Sequence, residues 1–478
     1  MGTIVTIKTP HRVGWVMAAD LVISDGTIVT PERLLKADLA VDDGKIAAVG
    51  ERESMPDAEV VVDASGQLVM PGVVDPHVHI DGYLSNDSYE TGTSAAALGG
   101  VTSCVNFAWE AWVGDLSVWD EEGTLLEAVE RQKRKGEDSL IDFGLHGVIT
   151  REDPAVFDEL DAVVDEGVTS IKMFTAYEIG LSNGFMNHVF EEVADRNAVA
   201  VLHTEDASVC DQLTERLKAA GESHPREYPR ARPDYAEAMA AEDAVRMAQE
   251  AGVKYYGIHT TCAKAADVLD DFRTDGSEVR GETCTHYTAL DESAYEAQGT
   301  LAIQAPPLRT PADRDAMFAH LHDGALSVVS TDHVAFRRAD KEVEHWWDSS
   351  FGVNGLQTSL PVFHDEAVNE RGFSYPFLVR VMCTNPAQTF GLHGKGTLEP
   401  GTDADIVVFD PDEEYTITAA DNASVADYSV YEGREVTGRV KKTFLRGELI
   451  ADDGDVVGEP GYGEYVHRER PDWSPNRR

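Results

Sequence analysis

The middle of this 478-residue chain contains eight short apolar runs. Each is followed by a longer stretch with a different pattern of apolar and polar residues. The runs have the composition of strands, and most of the intervals have the periodicity of surface helices, as in AAEDAVRMAQEAG. Strands that alternate with helices form a parallel sheet, and eight of them close into a barrel. The sequence therefore predicts an α/β fold, a (β/α)8 TIM barrel. The runs are LVMPGVVDPHVH, VTSCVNFAW, IDFGLHGVI, VTSIKMFTAY, AVAVLHTED, KYYGIHTT, GETCTHY and LSVVSTDH.

Both ends of the chain consist instead of short β-branched runs broken by turns, such as LVISDGTIVT near the start and GRVKKTFLRGELIADDG near the end. The runs near the start predict a small antiparallel β-unit. We expect the two ends to build one smaller β-sandwich domain together. The expected boundaries are an N-terminal extension at 1–17, the N-terminal half of the sandwich at 18–70, the barrel at 71–392, the C-terminal half of the sandwich at 393–455 and a loose C-terminal tail at 456–478.

The formal net charge of −46 limits what this chain can bind. It argues against nucleic acid and against anionic membranes as partners. The acidic residues recur along the whole chain, and lysine is scarce, with 13 lysines against 27 arginines. This pattern is typical of a halophilic surface, whose self-repulsion is screened by salt. The alternative, an acidic tail that binds a partner, would place the acidic residues in one separate block.

Targeting and redox features are few. No run of 18 apolar residues is present, and the N-terminus lacks a basic start followed by a long apolar core, so we expect a cytoplasmic protein. The cysteines are odd in number, dispersed and without CxxC spacing, which indicates reduced thiols. They are Cys104, Cys210, Cys262, Cys284 and Cys383.

Polar residues interrupt the apolar runs at their carboxyl ends, where a barrel of this kind forms its active site. His77 and His79 share one face of a strand because the side-chain period is two. His203, His259 and Asp332 end three other runs. A single histidine of this kind is more often a hydrogen-bonded core residue. The set as a whole predicts a divalent metal site.

Lys172 lies inside the strand-like run SIKMFTAY. A lone lysine there usually packs its stem and extends its ammonium to water. The metal site suggests another role, because five protein ligands are too many for one catalytic zinc, and two ions need a bridging anion. Carbon dioxide adds to a neutral amine to give a carbamate, which has one oxygen for each ion. Burial favours the neutral amine. If the metal site exists, we predict that Lys172 is carboxylated.

Seven motifs, in this order, resemble those of the cyclic amidohydrolases of the amidohydrolase superfamily: DPHVHI, SIKMFTAY, LHTED, IHTT, GETCTHY, APPLR and STDH. The segment CTNPAQTFGLHGKGTLEPGTDADIVVFDP resembles that family's passage from barrel to sandwich. The likeness covers about residues 18–455. Lys172 followed five residues later by Tyr177, together with ETC and PPLR, is most similar to the dihydropyrimidinase/hydantoinase branch.

The resemblance implies a role for each matching residue. His77, His79 and Asp332 would bind one metal ion, His203 and His259 the second, and carboxylated Lys172 both. Two zinc ions are the expected cofactors. Asp332 would also act as general base and proton shuttle, and Tyr177 would stabilise the oxyanion. The main chain around Ala305, and that of the loop from Gly352 to Asn354, would hold the substrate.

The implied reaction is hydrolytic opening of 5,6-dihydropyrimidines or hydantoins to N-carbamoyl amino acids. GVNGLQTSLPVF resembles allantoinases instead, although these usually lack a tyrosine at position 177, so an allantoinase remains an alternative. Dihydroorotases carry an arginine two residues after the second histidine, where this chain has Asp81. A non-catalytic assembly protein of the same fold is a remote alternative, because every ligand position is filled. The resemblance also implies a homo-oligomer, a dimer or tetramer.

Overall fold

The computed structural model describes residues 18–114 and 119–473. The extension expected at 1–17 therefore lies outside the described residues, as do residues 474–478 of the expected tail. The described chain begins with seven short strands rich in β-branched residues. They are β1 (Ala19–Ser24), β2 (Thr27–Val29), β3 (Leu34–Lys36), β4 (Asp38–Asp42), β5 (Lys45–Gly50), β6 (Ala58–Asp63) and β7 (Leu68–Pro71).

The barrel follows. Its strands, with one additional short pair, are β8 (Val73–Asp75), β9 (Val78–His79), β10 (Val101–Trp109), β11 (Asp142–Val148), β12 (Ser170–Phe174), β13 (Val199–His203), β14 (Lys254–Gly257), β15 (Val279–Cys284), β16 (Val328–Ser330) and β17 (His333–Val334). Eight parallel strands, β8 and β10 to β16, lie side by side in chain order. The pair of β9 with β17 joins the first and last strands, with His333 opposite Val78. Each predicted run overlaps one strand of the barrel sheet, which confirms the predicted (β/α)8 fold.

Helices connect the strands, and several begin at a hydroxyl cap. Ser88, Thr124 and Thr310 each form a capping box with the residue three positions on. The α-helices in the described ranges are α1 (Tyr89–Leu98), α2 (Leu125–Lys135), α3 (Leu160–Asp165), α4 (Asn183–Asp195), α5 (Ala207–Ala220), α6 (Tyr228–Ala231), α7 (Asp234–Ala251), α8 (Ala263–Thr274), α9 (Thr285–Ala289), α10 (Ala294–Gln298), α11 (Pro311–Asp323), α12 (Arg338–Lys341), α13 (Ser359–His364), α14 (Tyr375–Val379) and α15 (Asn385–Phe390). Among the residues described, no helix is both long and apolar enough to cross a bilayer.

Strands from both ends of the chain form the smaller domain. The chain's last strands are β18 (Ile406–Thr416), β19 (Glu435–Leu445), β20 (Glu448–Asp452) and β21 (Asp455–Val456). One sheet has the order β5-β4-β1-β6, and the other the order β21-β20-β19-β18-β7-β2-β3. Leu21 and Ile46 of the first sheet pack against Val69, Ile406 and Phe444 of the second. The expected sandwich from both ends is confirmed.

The predicted small antiparallel β-unit is antiparallel only in part, since β4 pairs antiparallel with both β1 and β5. β1 pairs in parallel with β6, and β2 pairs in parallel with β7. The reason is the path of the chain. It passes from the first sheet to the second between β1 and β2, and it repeats that passage in the same direction between β6 and β7.

The C-terminal tail is not loose over its described residues. Phe143 at the start of β11 donates a hydrogen bond to Glu464 O and accepts one from Val466 N. The guanidinium of Arg468 is buried and donates to Leu145 O and to Ser170 Oγ. Because these partners lie at the amino-terminal half of the barrel strands, the tail covers the end of the barrel opposite the polar strand ends.

We predict that Arg468→Ala lowers the free energy of unfolding by about 2–4 kcal/mol, because it removes the donor to the buried Leu145 carbonyl and the buried Ser170 hydroxyl. Chemical denaturation followed by circular dichroism measures this change. Arg470→Ala is the matched control, since the Arg470 side chain is 51% exposed, and it should change stability by no more than about 0.5 kcal/mol. Equal stability of both variants would contradict the role given to the tail.

Candidate functional site

The predicted site residues come together at the carboxyl ends of the barrel strands, around a cavity of about 260 Å³. Asn354 is the exception. It borders a different cavity of about 300 Å³, while Gly352 of the same loop borders the site cavity. The predicted residues that border the site cavity are His77, His79, Lys172, Tyr177, His203, His259, Ala305 and Asp332.

Two histidines and an aspartate form the first group of possible metal ligands. Nε2 of His77 lies 3.0 Å, and Nε2 of His79 lies 3.2 Å, from Oδ1 of Asp332. All three residues are buried, and their ligand atoms lie within 4.8 Å of one another. Ligands about 2.1 Å from one tetrahedral ion are separated by roughly 3.4 Å. This donor set therefore fits a single divalent cation.

The charges around this group favour a cation. Burial disfavours the charged form of His77, but Asp332 and Glu282 raise the pKa of its imidazole to about 9. Burial alone would raise the pKa of the Asp332 carboxyl, yet His77 and His79 hold that pKa well below its usual range. The site thus stabilises positive charge beside a carboxylate, and a bound divalent cation would supply such a charge.

His203 and His259 form a second pair of donors. Nδ1 of His203 lies 2.9 Å from Nε2 of His259, and Nε2 of His203 lies 2.9 Å from Oε2 of Glu205. Burial lowers the pKa of His203 to about 4 and that of His259 well below its usual range, so both rings are neutral. With the Nε2 of His203 engaged by Glu205, its Nδ1 lone pair is directed at His259. Two such nitrogens suit a second divalent ion.

Lys172 borders the same cavity from the middle of β12 and is only 2% exposed. Its ammonium nitrogen lies 4.4 Å from the centre of the Phe174 ring. Within residues 18–114 and 119–473, no carboxylate lies within ion-pair distance of this nitrogen. Burial lowers the pKa of Lys172 to about 7, although Asp332 acts in the opposite direction. A lysine that extends its ammonium to water is therefore excluded, and the neutral amine is accessible at neutral pH.

Buried carboxylates orient the histidines, and sequence reasoning gave them no role. Oε1 of Glu282 lies 2.6 Å from Nδ1 of His77, while its Oε2 accepts a hydrogen bond from Tyr256. Glu205 accepts two hydrogen bonds from the buried guanidinium of Arg232. The carboxylates could have been noticed, since each lies in a motif already singled out, GETC or HTED. Nothing in the sequence near Arg232 points to the site.

Tyr177 lies three residues after the end of β12, the strand that carries Lys172. Its hydroxyl lies 3.4 Å from Oε2 of Glu205, and the Arg232 guanidinium lies 4.7 Å from the centre of its ring. Burial raises the pKa of the Tyr177 phenol well above its usual value, so the hydroxyl keeps its proton and can donate a hydrogen bond.

Three predicted site residues have a backbone conformation that residues other than glycine rarely adopt. The φ angles are 66° for Tyr177, 36° for His259 and 45° for Asp332. Such conformations cost about 1–3 kcal/mol each and persist only where the surroundings hold them. These three conformations all occur just after barrel strands, which indicates that the packing at the strand ends fixes the directions of these side chains.

A buried lysine ties together the two loops that carry Ala305 and Gly352. Lys341 is fully buried, and its ammonium donates to the carbonyl oxygens of Ile303 and Gly352. The amide of Gly352 in turn donates to Ile303 O. Both loops therefore reach the cavity at a fixed separation.

His333 supports the same region from behind Asp332. Its Nε2 lies 2.9 Å from Oδ2 of Asp87, and its Nδ1 accepts a hydrogen bond from Gly355 N. Because both ring nitrogens are engaged in this way, His333 holds the loop after Gly352 and is not a free metal ligand.

Comparison with known proteins places these residues in context. The sequence model of the amidohydrolase family matches residues 68–450. The chain is 34% identical over 470 residues to D-hydantoinase of Streptomyces coelicolor, covering 95% of this chain and 98% of that protein. It is 32% identical over 464 residues to allantoinase of Salmonella choleraesuis, covering 94% of this chain and 99% of that protein.

Solved structures agree with the sequence comparison. The fold superimposes on the crystal structure of dihydropyrimidinase from Brevibacillus agri with a TM-score of 0.90 at 31% identity, covering 95% of this chain and 99% of that one. A crystal structure of a D-hydantoinase gives a TM-score of 0.88 at 32% identity, with 94% of this chain and 99% of that chain covered.

We predict that Glu282→Gln weakens metal binding about 10- to 100-fold, because the amide replaces the carboxylate that orients His77. The measurement is the metal retained by the purified protein against a competing chelator. Glu278→Gln is the matched control, since Glu278 is exposed and lies immediately before β15. Equal retention of metal in both variants would contradict this role of Glu282.

Proposed function

The chain belongs to the amidohydrolase family, and from this premise we propose that it opens the ring of 5,6-dihydropyrimidines or hydantoins by hydrolysis to give N-carbamoyl amino acids. It is a cyclic amidohydrolase. The observation that carries this function is the convergence of two donor groups, those around Asp332 and around His203, on one cavity that also holds the buried amine of Lys172 and the hydroxyl of Tyr177.

We propose that two divalent ions, zinc in the first instance, complete the site. His77, His79 and Asp332 would hold one, and His203 and His259 the other. When bound, such ions would lower the pKa of a water molecule at the site and polarise the substrate carbonyl. The neutral rings of His203 and His259 and the unprotonated carboxyl of Asp332 are in the protonation states that metal binding requires. His77, whose pKa is raised to about 9, would release its proton when the ion binds.

We propose that Lys172 carries a carbamate that contacts both ions. Its amine is buried beside both donor groups and has no carboxylate partner among the described residues, so a carbamate would supply the negative charge that this position lacks. Formation of the carbamate joins the Lys172 nitrogen to the carbon of carbon dioxide and releases one proton.

We propose that Asp332 moves protons during the reaction. Its carboxylate, held unprotonated by His77 and His79, would take a proton from the attacking water and deliver it to the ring nitrogen that leaves. The left-handed backbone at Asp332 sets its side chain at the strand end, facing the cavity.

Tyr177 and two loops would hold the substrate. The protonated Tyr177 hydroxyl can donate to the substrate's carbonyl oxygen as negative charge develops there. We propose that main-chain groups at Ala305 and in the loop from Gly352 to Asn354 hold the ring's imide. In this loop Gly352, rather than the side chain of Asn354, borders the cavity.

Two expectations remain predictions. The first is assembly into a dimer or tetramer, which light scattering of the purified protein would measure. The second is location in the cytoplasm, which fractionation of the source cells would measure.

We predict that the metal-loaded protein opens dihydrouracil or hydantoin, followed as loss of ultraviolet absorbance. Allantoin is assayed in parallel, because an allantoinase is among the similar proteins and GVNGLQTSLPVF resembles that group. Turnover of allantoin alone would confirm ring-opening hydrolysis as the reaction but would show that the proposed substrate ring is wrong. No turnover of any of the three substrates by protein with full metal content would contradict the proposed function.

We also propose that the enzyme is adapted to high salt, on the basis of its net charge of −46. The free energy of unfolding should rise with potassium chloride concentration up to the molar range, since salt screens repulsion between the surface carboxylates. Unfolding followed by circular dichroism at low and high salt measures this. A protein that stays folded and active in dilute buffer would contradict the adaptation.

A further inference from the structure

An aromatic wall extends from the metal-binding residues to the mouth of the cavity. The ring of Trp109 lies 6.0 Å from that of His79 and 5.7 Å from that of Tyr83, and the ring of Trp119 lies 5.3 Å from that of Tyr83. Trp109 is buried, Trp119 is half-buried and Tyr83 is 43% exposed. A substituent that leaves the substrate ring on this side would lie along these three rings.

Glu178 gives the outer region of the cavity its charge. Of the described residues that border the cavity, the charged ones other than the histidines are Lys172 and Asp332 at the metal-binding floor, and Glu178. The Glu178 side chain is exposed and has no ion-pair partner among the described residues. Burial and the Glu178 carboxylate together raise the pKa of Tyr83, which indicates that this carboxylate lies close to the aromatic wall.

Three aromatic rings beside a carboxylate form a chemical environment suited to an organic cation. Aromatic faces attract a cation within about 6 Å of the ring centre. The ring of Tyr83 lies 5.7 Å from that of Trp109 and 5.3 Å from that of Trp119, so a cation at Tyr83 would lie beside at least one tryptophan. The carboxylate adds a direct charge contact. A purely apolar substituent would have no favourable electrostatic interaction with the Glu178 carboxylate. An anionic substituent would be repelled by Glu178 and by the net charge of the chain.

We propose that this enzyme acts on cyclic ureides whose ring substituent ends in an ammonium group, bound between Glu178 and the rings of Tyr83, Trp109 and Trp119. The proposal rests on the proposed ring-opening function. It names the class of substrate that the site selects.

The test compares three hydantoins that differ only in the end of the 5-substituent: 4-aminobutyl, the uncharged pentyl group of equal length, and 3-carboxypropyl. The measured quantity is the ratio of kcat/KM for the aminobutyl compound to that for the pentyl compound. Glu178→Gln should lower this ratio about fivefold, the effect of one exposed to half-buried charge contact. The same substitution should raise kcat/KM for the carboxypropyl compound relative to pentyl.

Two further variants test whether a change in the ratio comes from the carboxylate and the aromatic rings at the cavity. Glu191→Gln removes one exposed carboxylate on α4, away from the cavity, and should leave the ratio unchanged. Trp119→Leu keeps an apolar surface but removes one aromatic face, so it should lower the ratio in the same direction as Glu178→Gln. A ratio that is the same in the unmodified enzyme, in Glu178→Gln and in Trp119→Leu would overturn the proposal.

A binding measurement distinguishes failure of this proposal from failure of the proposed function. Butyltrimethylammonium is titrated into the protein, and the tryptophan fluorescence reports occupancy of the wall. Binding that weakens in Glu178→Gln supports the cation site even if no ring is opened. Opening of unsubstituted hydantoin without any Glu178-dependent binding would leave the ring-opening function intact and overturn the cation site.

Discussion

Closure of the eight-stranded parallel barrel is the constraint on which the site depends. It brings His79 and Asp332, which are 253 positions apart, to 3.2 Å from each other, through the short pair of β9 with β17 that joins the first and last strands. Because all the strands run in one direction, their carboxyl ends share one rim. The polar residues that end separate apolar runs therefore meet at a single cavity.

Several charged side chains are buried at the carboxyl ends of the barrel strands, where an unpaired charge is unfavourable. Most of them have a hydrogen-bond or ion-pair partner close by. Glu205 is paired with Arg232, and Glu282 with His77 and Tyr256. Lys172 is the exception, because it is buried without a carboxylate partner among the described residues. Such an unpaired amine is unfavourable as a cation, and the proposed conversion of Lys172 to a carbamate would resolve that imbalance.

The barrel and the possible metal ligands of the cavity could be predicted from the sequence, since strand ends and alternation are local features. His77 and His79 are visible in one strand, and Lys172 interrupts an apolar run. Arg232, Lys341 and Arg468 could not be predicted in this way. Each is buried by segments distant in sequence, so its role depends on long-range packing. The tail through Trp473 was expected to be loose for the same reason, because its backbone partners include Ser139, Phe143 and Gly391, which are far from it in sequence.

The most direct test of this account is carbon-13 spectroscopy of protein prepared with labelled bicarbonate, together with metal analysis of the same sample. We expect one labelled carbamate carbon and two divalent ions per chain. Lys172→Ala should lose the labelled carbon, most of the bound metal and the activity, and a short carboxylic acid should restore some of the last two. Full metal content and activity in unmodified protein without a labelled carbon, or in Lys172→Ala, would contradict the account.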